Sequence, residues 1–427
     1  MYSKNIYLKY FVIISCSLFS LFFIRLLLDP NGIQRQIFFM GMNDFFADFF
    51  NMLRYTATRD PYFTGPQEHV NYFPLSFLLI YPFSRLDNFN DMSLQETWNS
   101  KFGMMSAFIY TLMSILLFLL SINFIRKKNN LSPIIFISLI FSSIFFFTIE
   151  RGNTIILSAA FISIFIAFYD SDNKNERLLA ILSIAIASTL KVYPVLFGIL
   201  YLEKKQYKEI IYSAIITLLL IFFPFLFFLR GFNNIPRLID NFNIHNQNYN
   251  FSSVYPRFNI THCVFYLLKT VNIKEYTLIS ITNFIKFFIY FLSLISITIS
   301  IFITNKWYKI SLITMVVVFF PTNSALYCGL YIFPMIILFF ATMKERPVFI
   351  NIIILIIFII FLNPYQYNIY IFNYNLNNYL TSNIAFLFLW FYLVIYSILI
   401  LDINIFIKKL YINIKNRIVL LNFLNKK

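Results

Sequence analysis

The chain has 427 residues, of which 59% are hydrophobic and only 12% are charged. Water-soluble domains carry about 25% charged residues, so this composition excludes an ordinary soluble protein. At roughly 20 residues per crossing, the apolar share suffices for on the order of ten to twelve transmembrane helices. Segments such as 109–120 and 350–362 are apolar on all sides, whereas the strands of membrane barrels alternate apolar and polar residues. The sequence therefore predicts an all-α, polytopic membrane protein.

Long apolar runs follow one another along the chain. They lie at about 10–28, 104–125, 132–149, 154–169, 178–201, 210–229, 278–303, 310–341, 348–362 and 383–407. Two of them are interrupted, one by Lys191 and Pro194 and the other by the Pro-Thr-Asn sequence at 321–323. A charge or a helix breaker in the middle of a span is costly unless the chain turns there or lines a polar cavity. Both runs are therefore predicted to be re-entrant helix hairpins, which gives about 11 or 12 helices.

Lysine and arginine cluster in the short connections between these runs. The clusters lie at 126–128, 174–177, 204–208, 306–309, 344–346 and from 408 onward. Cytoplasmic loops collect basic residues, so both termini are predicted to be cytoplasmic in a protein of the inner (plasma) membrane. The net charge of +16 then reflects topology and contact with anionic lipid, and no nucleic-acid partner is predicted. Segments 29–103, 230–277 and 363–382 are predicted to lie on the outer face.

Carboxylates of the first outer loop, 29–103, are the candidates for acid–base chemistry. Asp44 and Asp48 are flanked by phenylalanines near the end of a predicted span, where partial desolvation helps a carboxylate to accept a proton. Because they are four residues apart, they would share one face of a helix, which suits paired carboxylate chemistry or a metal ion. The alternative is an amphipathic interfacial helix whose carboxylates face water. No other ligand-type residue lies nearby, and no metal is predicted.

Three cations fall at the outer ends of spans or in outer segments, namely Arg151, Lys191 and Arg257. Together they would bind the phosphate or pyrophosphate group of a lipid. The alternative is that Arg151 pairs with Glu150 and that Lys191 extends its ammonium group to the membrane surface. The chain has only 8 glycines and lacks a glycine-rich phosphate loop, a zinc-binding spacing and a Ser/His/Asp arrangement. Its three cysteines have no paired spacing, and no cofactor is predicted.

Several outer-face segments, taken in order, resemble the integral-membrane glycosyltransferases of the GT-C class. The similarity is to glycosyltransferase family 87, the type that depends on polyprenyl phosphate mannose, and it covers roughly residues 40–340. The segments that carry it are NDFFADFFN at 43–51, RDPYF at 59–63, NYFPLSFLLIYPF at 71–83, ERGNTIILSAAF at 150–161, STLKVYPVLFGILYLEKKQYKE at 188–209, NIHNQNYNFSSVYPR at 243–257 and PTNSALYCGLYIFPMIIL at 321–338.

This resemblance implies a GT-C-like architecture and inverting transfer of a hexose, mannose above all, from a polyprenyl phosphate sugar to a glycan or glycolipid acceptor. It implies Asp44 as the general base, with Asp48 as the alternate. The cations that would stabilise the departing phosphate are Arg151, Lys191 and Arg257. Hydrogen-bond partners of the sugar or acceptor would be Tyr72, Asn153, Asn246 and Gln247.

The chain departs from the family pattern at three places. These departures bear on which sugar is transferred and which acceptor receives it. Phe73 stands where a proline is usual, Arg151 stands where the family has a Gly-Gln pair, and Tyr327 or Cys328 stands near a usual histidine.

Two other functions remain open from the sequence. One is a polymerase or ligase of surface polysaccharides, and the other is a flippase for lipid-linked sugars, which would show inverted repeats with broken helices. A catalytic domain is predicted over 1–345, followed by C-terminal helices and a basic tail over 346–427.

Overall fold

A computed structural model gives the fold. It describes residues 2–37, 45–63, 70–249, 258–270, 274–321, 324–371 and 374–401.

Eighteen α-helices account for most of the described chain, which confirms the all-α prediction. They are α1 (Tyr2–Leu28), α2 (Ala47–Ala57), α3 (Pro74–Ile80), α4 (Leu94–Asn99), α5 (Lys101–Lys128), α6 (Ile135–Ile140), α7 (Ser143–Arg151), α8 (Ile155–Phe168), α9 (Lys174–Leu190), α10 (Ile199–Glu203), α11 (Tyr207–Phe222), α12 (Asn234–Tyr249), α13 (Ile260–Thr270), α14 (Glu275–Phe302), α15 (Lys306–Phe319), α16 (Phe333–Thr342), α17 (Val348–Leu362) and α18 (Asn378–Ile400). Two short strands, β1 (Asn368–Ile371) and β2 (Tyr374–Asn377), form an antiparallel pair with Asn368 opposite Asn377.

Six helical segments of the described chain are long and apolar enough to cross a membrane, so the protein is a multi-pass membrane protein. They are Ile6–Leu28, Lys101–Lys128, Tyr207–Phe227, Tyr276–Phe302, Leu326–Glu345 and Asn378–Ile400. Shorter apolar helices accompany them, among them α8 and α17. A large hydrophobic core surrounds α8, α15 and α16, and every residue of α15 after Lys306 is buried.

Both interrupted runs turn back on themselves, as predicted. Helix α9 ends at Leu190, a 3-10 helix over Tyr193–Gly198 follows, and α10 returns toward the end of α8, where the Tyr201 and Phe165 rings lie 5.2 Å apart. In the second hairpin the Trp307 indole N–H, at the start of α15, donates to the Met335 carbonyl of α16 at 3.1 Å. The Trp307 ring also lies 5.7 Å from the Phe339 ring, so the start of α15 packs beside the later part of the returning arm that begins at Leu326, and the two arms run antiparallel.

One predicted span is divided. The run at 132–149 forms two short helices, α6 and α7, which meet at Phe141 and Ser142. The Ser142 hydroxyl donates to the Leu139 carbonyl at 2.6 Å and accepts from the Phe145 N–H at 3.3 Å. The serine thus satisfies the backbone at the end of one helix and at the start of the next, which a continuous helix would not require.

The basic connections gather at one end of the bundle, which we call the basic end and define by Asp170, Lys128 and Lys306. The Asp170 carboxylate pairs with Lys306 at 2.8 Å and with Lys128 at 3.2 Å. Nearby, Lys309 pairs with Glu203. These contacts bring together four connections that the charge pattern assigned to one side of the membrane.

Lys191, Tyr327 and the described part of the first long loop lie at the opposite end. A second hydrophobic core there contains the apolar face of α2 and the aromatic rings of Tyr62, Phe77 and Phe225. Gln34 and Gln366 join the N-terminal and C-terminal parts through two hydrogen bonds of 2.8 Å. This end holds the candidate site, and the division of the chain at residue 345 stays a prediction.

Candidate active site

The turn that joins α7 to α8 packs against the first turn of α2. The Phe46 N–H donates to the Glu150 carbonyl at 2.6 Å, and Phe46 itself has a left-handed backbone with φ of 58°. Gly152 ends α7 with φ of 60°, and a Cβ built there would lie 3.0 Å from the Phe49 Cβ. Only a glycine adopts this backbone readily at so short a distance. This close approach places Asp48, in the first turn of α2, beside Arg151.

We expect Gly152→Ala to lower the thermal midpoint of the purified protein. The left-handed backbone costs an alanine about 1 kcal/mol or more, and the new methyl group would also press on Phe49. Gly231→Ala is the matched control, because Gly231 has φ of 50° but its nearest neighbouring atom would lie 4.0 Å from the added Cβ. Thermal unfolding in one detergent compares the two variants. Equal losses would show that the Phe49 contact contributes nothing.

Asp48 is held from two sides by side chains of this turn. The Arg151 Nη2 lies 2.5 Å from Asp48 Oδ1, and the Asn153 amide donates to Asp48 Oδ2 at 2.7 Å. The side chains of Asp48 and Arg151 are only 14% and 10% exposed. Asn153 also accepts the Ile155 N–H at 3.0 Å, which fixes its amide at the start of α8. Each carboxylate oxygen has a donor and keeps a further lone pair.

Lys191 and Tyr72 complete the cluster. The half-buried Lys191 follows the last residue of α9, and its ammonium nitrogen lies 5.0 Å from the centre of the Tyr72 ring. Burial, followed by the nearby charge of Asp48, raises the pKa of the Tyr72 phenol well above its ordinary range. Tyr72 therefore keeps its proton and can donate a hydrogen bond. The Tyr62 hydroxyl donates to the Tyr72 carbonyl at 2.8 Å and holds that segment in place.

Aromatic residues that were not among the predicted site residues border the same cluster. Tyr327 lies close enough to Tyr72 to act on its ionisation, and its ring stacks on Phe147 with centroids 5.9 Å apart. The Tyr193 hydroxyl lies 3.6 Å from the Cys328 sulfur. The sequence feature that points to Tyr327 and Cys328 is their position near a histidine that is usual in the family. For Tyr193 it is the position two residues after Lys191.

The RDPYF segment serves as a tether between outer-loop segments. Asp60 accepts the Arg230 N–H at 3.0 Å and the Asn234 amide at 3.2 Å. The Arg230 guanidinium lies 3.9 Å from the centre of the Phe63 ring. Further along α12, the Asn241 amide donates to the Val70 carbonyl at 3.1 Å. These bonds dock α12 on the loop that carries Tyr72.

The structure thus brings five of the predicted site residues into one cluster. They are Asp48, Tyr72, Arg151, Asn153 and Lys191. Asp44 and Arg257 lie outside the described residues. Asn246 and Gln247 belong to α12, of which the structure describes only the backbone at these positions. Their roles stay predictions.

The cluster combines a carboxylate, a guanidinium, an ammonium group and a neutral phenol. Such a set can bind a phosphate and accept a proton from a hydroxyl group. The described residues contain no group of three or more metal-ligating side chains, and Cys16, Cys263 and Cys328 are free thiols. The absence of a metal requirement remains a prediction.

Part of the chain is similar to a known protein family. Residues 71–253 match the model of glycosyltransferase family 87. The matched part includes Tyr72, Arg151, Asn153 and Lys191, whereas Asp48 precedes it. No curated protein matches the chain significantly. The segment that supplies most of the cluster is therefore similar to glycosyltransferase family 87.

Proposed function

We propose that this glycosyltransferase moves a hexose, mannose first among the candidates, from a polyprenyl phosphate donor to a hydroxyl group of a glycan or glycolipid acceptor. The observation that carries the proposal is the nearly buried Asp48 carboxylate beside Arg151, with Lys191 and Tyr72 at its edge. A lipid-linked donor suits a cluster located at one end of a membrane-spanning helix bundle. The family match supports sugar transfer as the reaction class.

The donor phosphate binds between the two cations. Negative charge grows on the phosphate as the bond to the sugar breaks, so fixed cations stabilise the transition state more than the ground state. Arg151 presents a planar fork for phosphate oxygens, and Lys191 adds a compact point charge. Arg257 is the third cation that we assign to this group from the sequence.

Asp48 is the general base of the proposed reaction. The acceptor oxygen attacks the anomeric carbon from the side opposite the phosphate, and the C–O bond to the phosphate breaks as the new glycosidic bond forms. The electron pair leaves with the polyprenyl phosphate, and the acceptor proton passes to the carboxylate. A single carboxylate is sufficient for such an inverting displacement. We prefer Asp48 to Asp44, which the sequence ranked first, because Asp48 pairs with Arg151 and interacts electrostatically with Lys191.

Sugar and acceptor hydroxyl groups meet polar side chains beside this carboxylate. Tyr72 and Asn153 flank it, and Asn246 and Gln247 are further partners that we assign from the sequence. The Phe242 and Phe73 rings lie 5.5 Å apart, so α12 packs near the segment that carries Tyr72.

The cluster lies on the outer face of the plasma membrane in this proposal, with both termini in the cytoplasm. The gathering of basic connections at the end opposite Asp48 supports this orientation, because cytoplasmic loops collect lysine and arginine.

A donor panel tests the proposal. Full-length protein in nanodiscs is offered short-chain polyprenyl phosphate mannose, glucose and galactose, together with nucleotide sugars and pyrophosphate-linked oligosaccharides. We expect one polyprenyl phosphate sugar to be consumed, with release of polyprenyl phosphate. Consumption of pyrophosphate-linked oligosaccharides alone would favour a polymerase or ligase. Movement of lipid-linked sugars across a vesicle membrane without bond cleavage would favour a flippase, and either result would overturn the proposal.

A further inference from the structure

A chain of buried hydroxyl groups joins three elements behind the cation cluster. The Tyr331 hydroxyl donates to the Ser158 hydroxyl oxygen at 2.7 Å, and the Ser158 hydroxyl donates to the Ala187 carbonyl at 3.0 Å. Tyr331 and Ser158 are fully buried. In an apolar interior without competing water, these bonds are costly to leave unmade.

The acceptor at the end of this chain is the carbonyl that fixes Lys191. Ala187 lies in the last turn of α9, and its carbonyl also accepts the Lys191 N–H at 3.0 Å. The Ala187 carbonyl thus has its regular helical partner, and the Ser158 hydroxyl is a second donor that holds it from a neighbouring helix. A shift of this carbonyl would therefore move the backbone of Lys191.

The other two elements carry the remaining parts of the cluster. Ser158 lies in the second turn of α8, five residues after Asn153 and seven after Arg151. Tyr331 lies in the 3-10 helix over Leu326–Ile332, four residues after Tyr327. Ser158 therefore links the segment of Arg151 to the segment of Lys191 and to the aromatic border.

We propose that Ser158 and Tyr331 are positioning residues that set the distance between the Arg151 and Lys191 cations. This inference rests on the proposed phosphate-binding role of those cations. Misplacement of a binding group by about 1 Å can cost about 100-fold in rate. Neither hydroxyl group touches the substrate, and both act through the backbone of Lys191.

The same helix offers a matched control. Ser163 is also fully buried in α8, but its hydroxyl donates to the Ala159 carbonyl of its own helix at 2.8 Å. For the tyrosine, the control is Tyr308, which is buried and whose hydroxyl pairs with that of Tyr392 at 3.0 Å near the basic end. Both control changes delete a buried hydroxyl without touching the link between α8 and α9.

The experiment measures initial rates against donor concentration for full-length Ser158→Ala, Tyr331→Phe, Ser163→Ala and Tyr308→Phe in nanodiscs. We expect the first two to raise the donor KM about tenfold, with a smaller fall in kcat, and the controls to stay within about twofold of the wild type. Tyr331→Phe retains the ring and its packing, so it remains informative if Ser158→Ala folds poorly. Equal effects of test and control variants would overturn the inference.

A double-mutant cycle with Lys191→Gln separates positioning from general destabilisation. If Ser158 acts through Lys191, Ser158→Ala has little further effect on donor KM once the ammonium group is gone. Additive losses would overturn the positioning role and leave the phosphate-binding role of Lys191 intact. If Lys191→Gln alone keeps wild-type donor kinetics, Lys191 does not bind the donor phosphate. Both the phosphate-binding role of Lys191 and the positioning role of Ser158 would then be overturned.

Discussion

Replacing Asp48 with asparagine is expected to lower the turnover of sugar transfer by about 10²- to 10⁴-fold, the usual contribution of a general base. The amide has nearly the same shape, and its oxygen can still accept a hydrogen bond from Arg151 or Asn153. Because it cannot take up the acceptor proton, we expect kcat to fall while the donor KM changes little. Steady-state kinetics with the donor identified by the panel, together with donor binding measured by calorimetry, provide the test.

Asp170→Asn is the control for this variant. Asp170 is also a partly buried, ion-paired aspartate, but it lies at the basic end with Lys128 and Lys306. It should retain transfer even where stability falls. Asp44→Asn is measured alongside. Should Asp44→Asn lose turnover while Asp48→Asn keeps it, the base is Asp44, and Asp48 serves only to hold Arg151 and Asn153.

Removal of the Arg151 guanidinium should affect both activity and stability. Arg151→Gln takes away the fork that stabilises the departing phosphate, and we expect kcat/KM to fall by about 10²- to 10³-fold. It also leaves the nearly buried Asp48 carboxylate without its ion-pair partner, which costs about 3–5 kcal/mol for a buried pair. Arg151→Lys should be intermediate, because an ammonium group retains the charge and loses the planar fork. Kinetics and thermal unfolding measure the two effects separately.

The double variant Arg151→Gln with Asp48→Asn distinguishes these two effects. Without the buried charge, we expect the thermal midpoint to return most of the way to the wild-type value, while transfer remains lost. Recovery of transfer in the double variant would contradict a role for Arg151 in phosphate stabilisation and reduce the pair to a structural contact.

The sequence was sufficient for much of the architecture, because the energetic cost of a polar group in a membrane is large. Lys191 and Pro321 could not lie in the middle of a span, and the helices before them end at Leu190 and Phe319. The helix break at Phe141 and Ser142 was not predicted, because a serine in an apolar run usually bonds to its own helix, as Ser163 does. Only the three-dimensional contacts show whether such a serine bonds within one helix or lies at a break between two helices.

The residue types of the site were also predictable, whereas their pairing was not. Asp48 and Arg151 are about a hundred residues apart, and the alternative of an Arg151 pair with Glu150 was equally consistent with the sequence. What brings Asp48 to Arg151 is the packing of Gly152 on Phe46 and Phe49, which depends on the left-handed backbone of both Gly152 and Phe46. The link from Tyr331 through Ser158 to Ala187 likewise joins residues that no spacing connects.

The anomeric configuration of the product tests the central claim most directly. Full-length protein is given a polyprenyl phosphate sugar of defined anomeric configuration, and the product linkage is read by NMR while the released lipid is identified by mass spectrometry. We expect an inverted linkage and one polyprenyl phosphate released for each bond formed. A retained configuration, or release of a polyprenyl pyrophosphate, would contradict direct displacement at the Asp48 cluster.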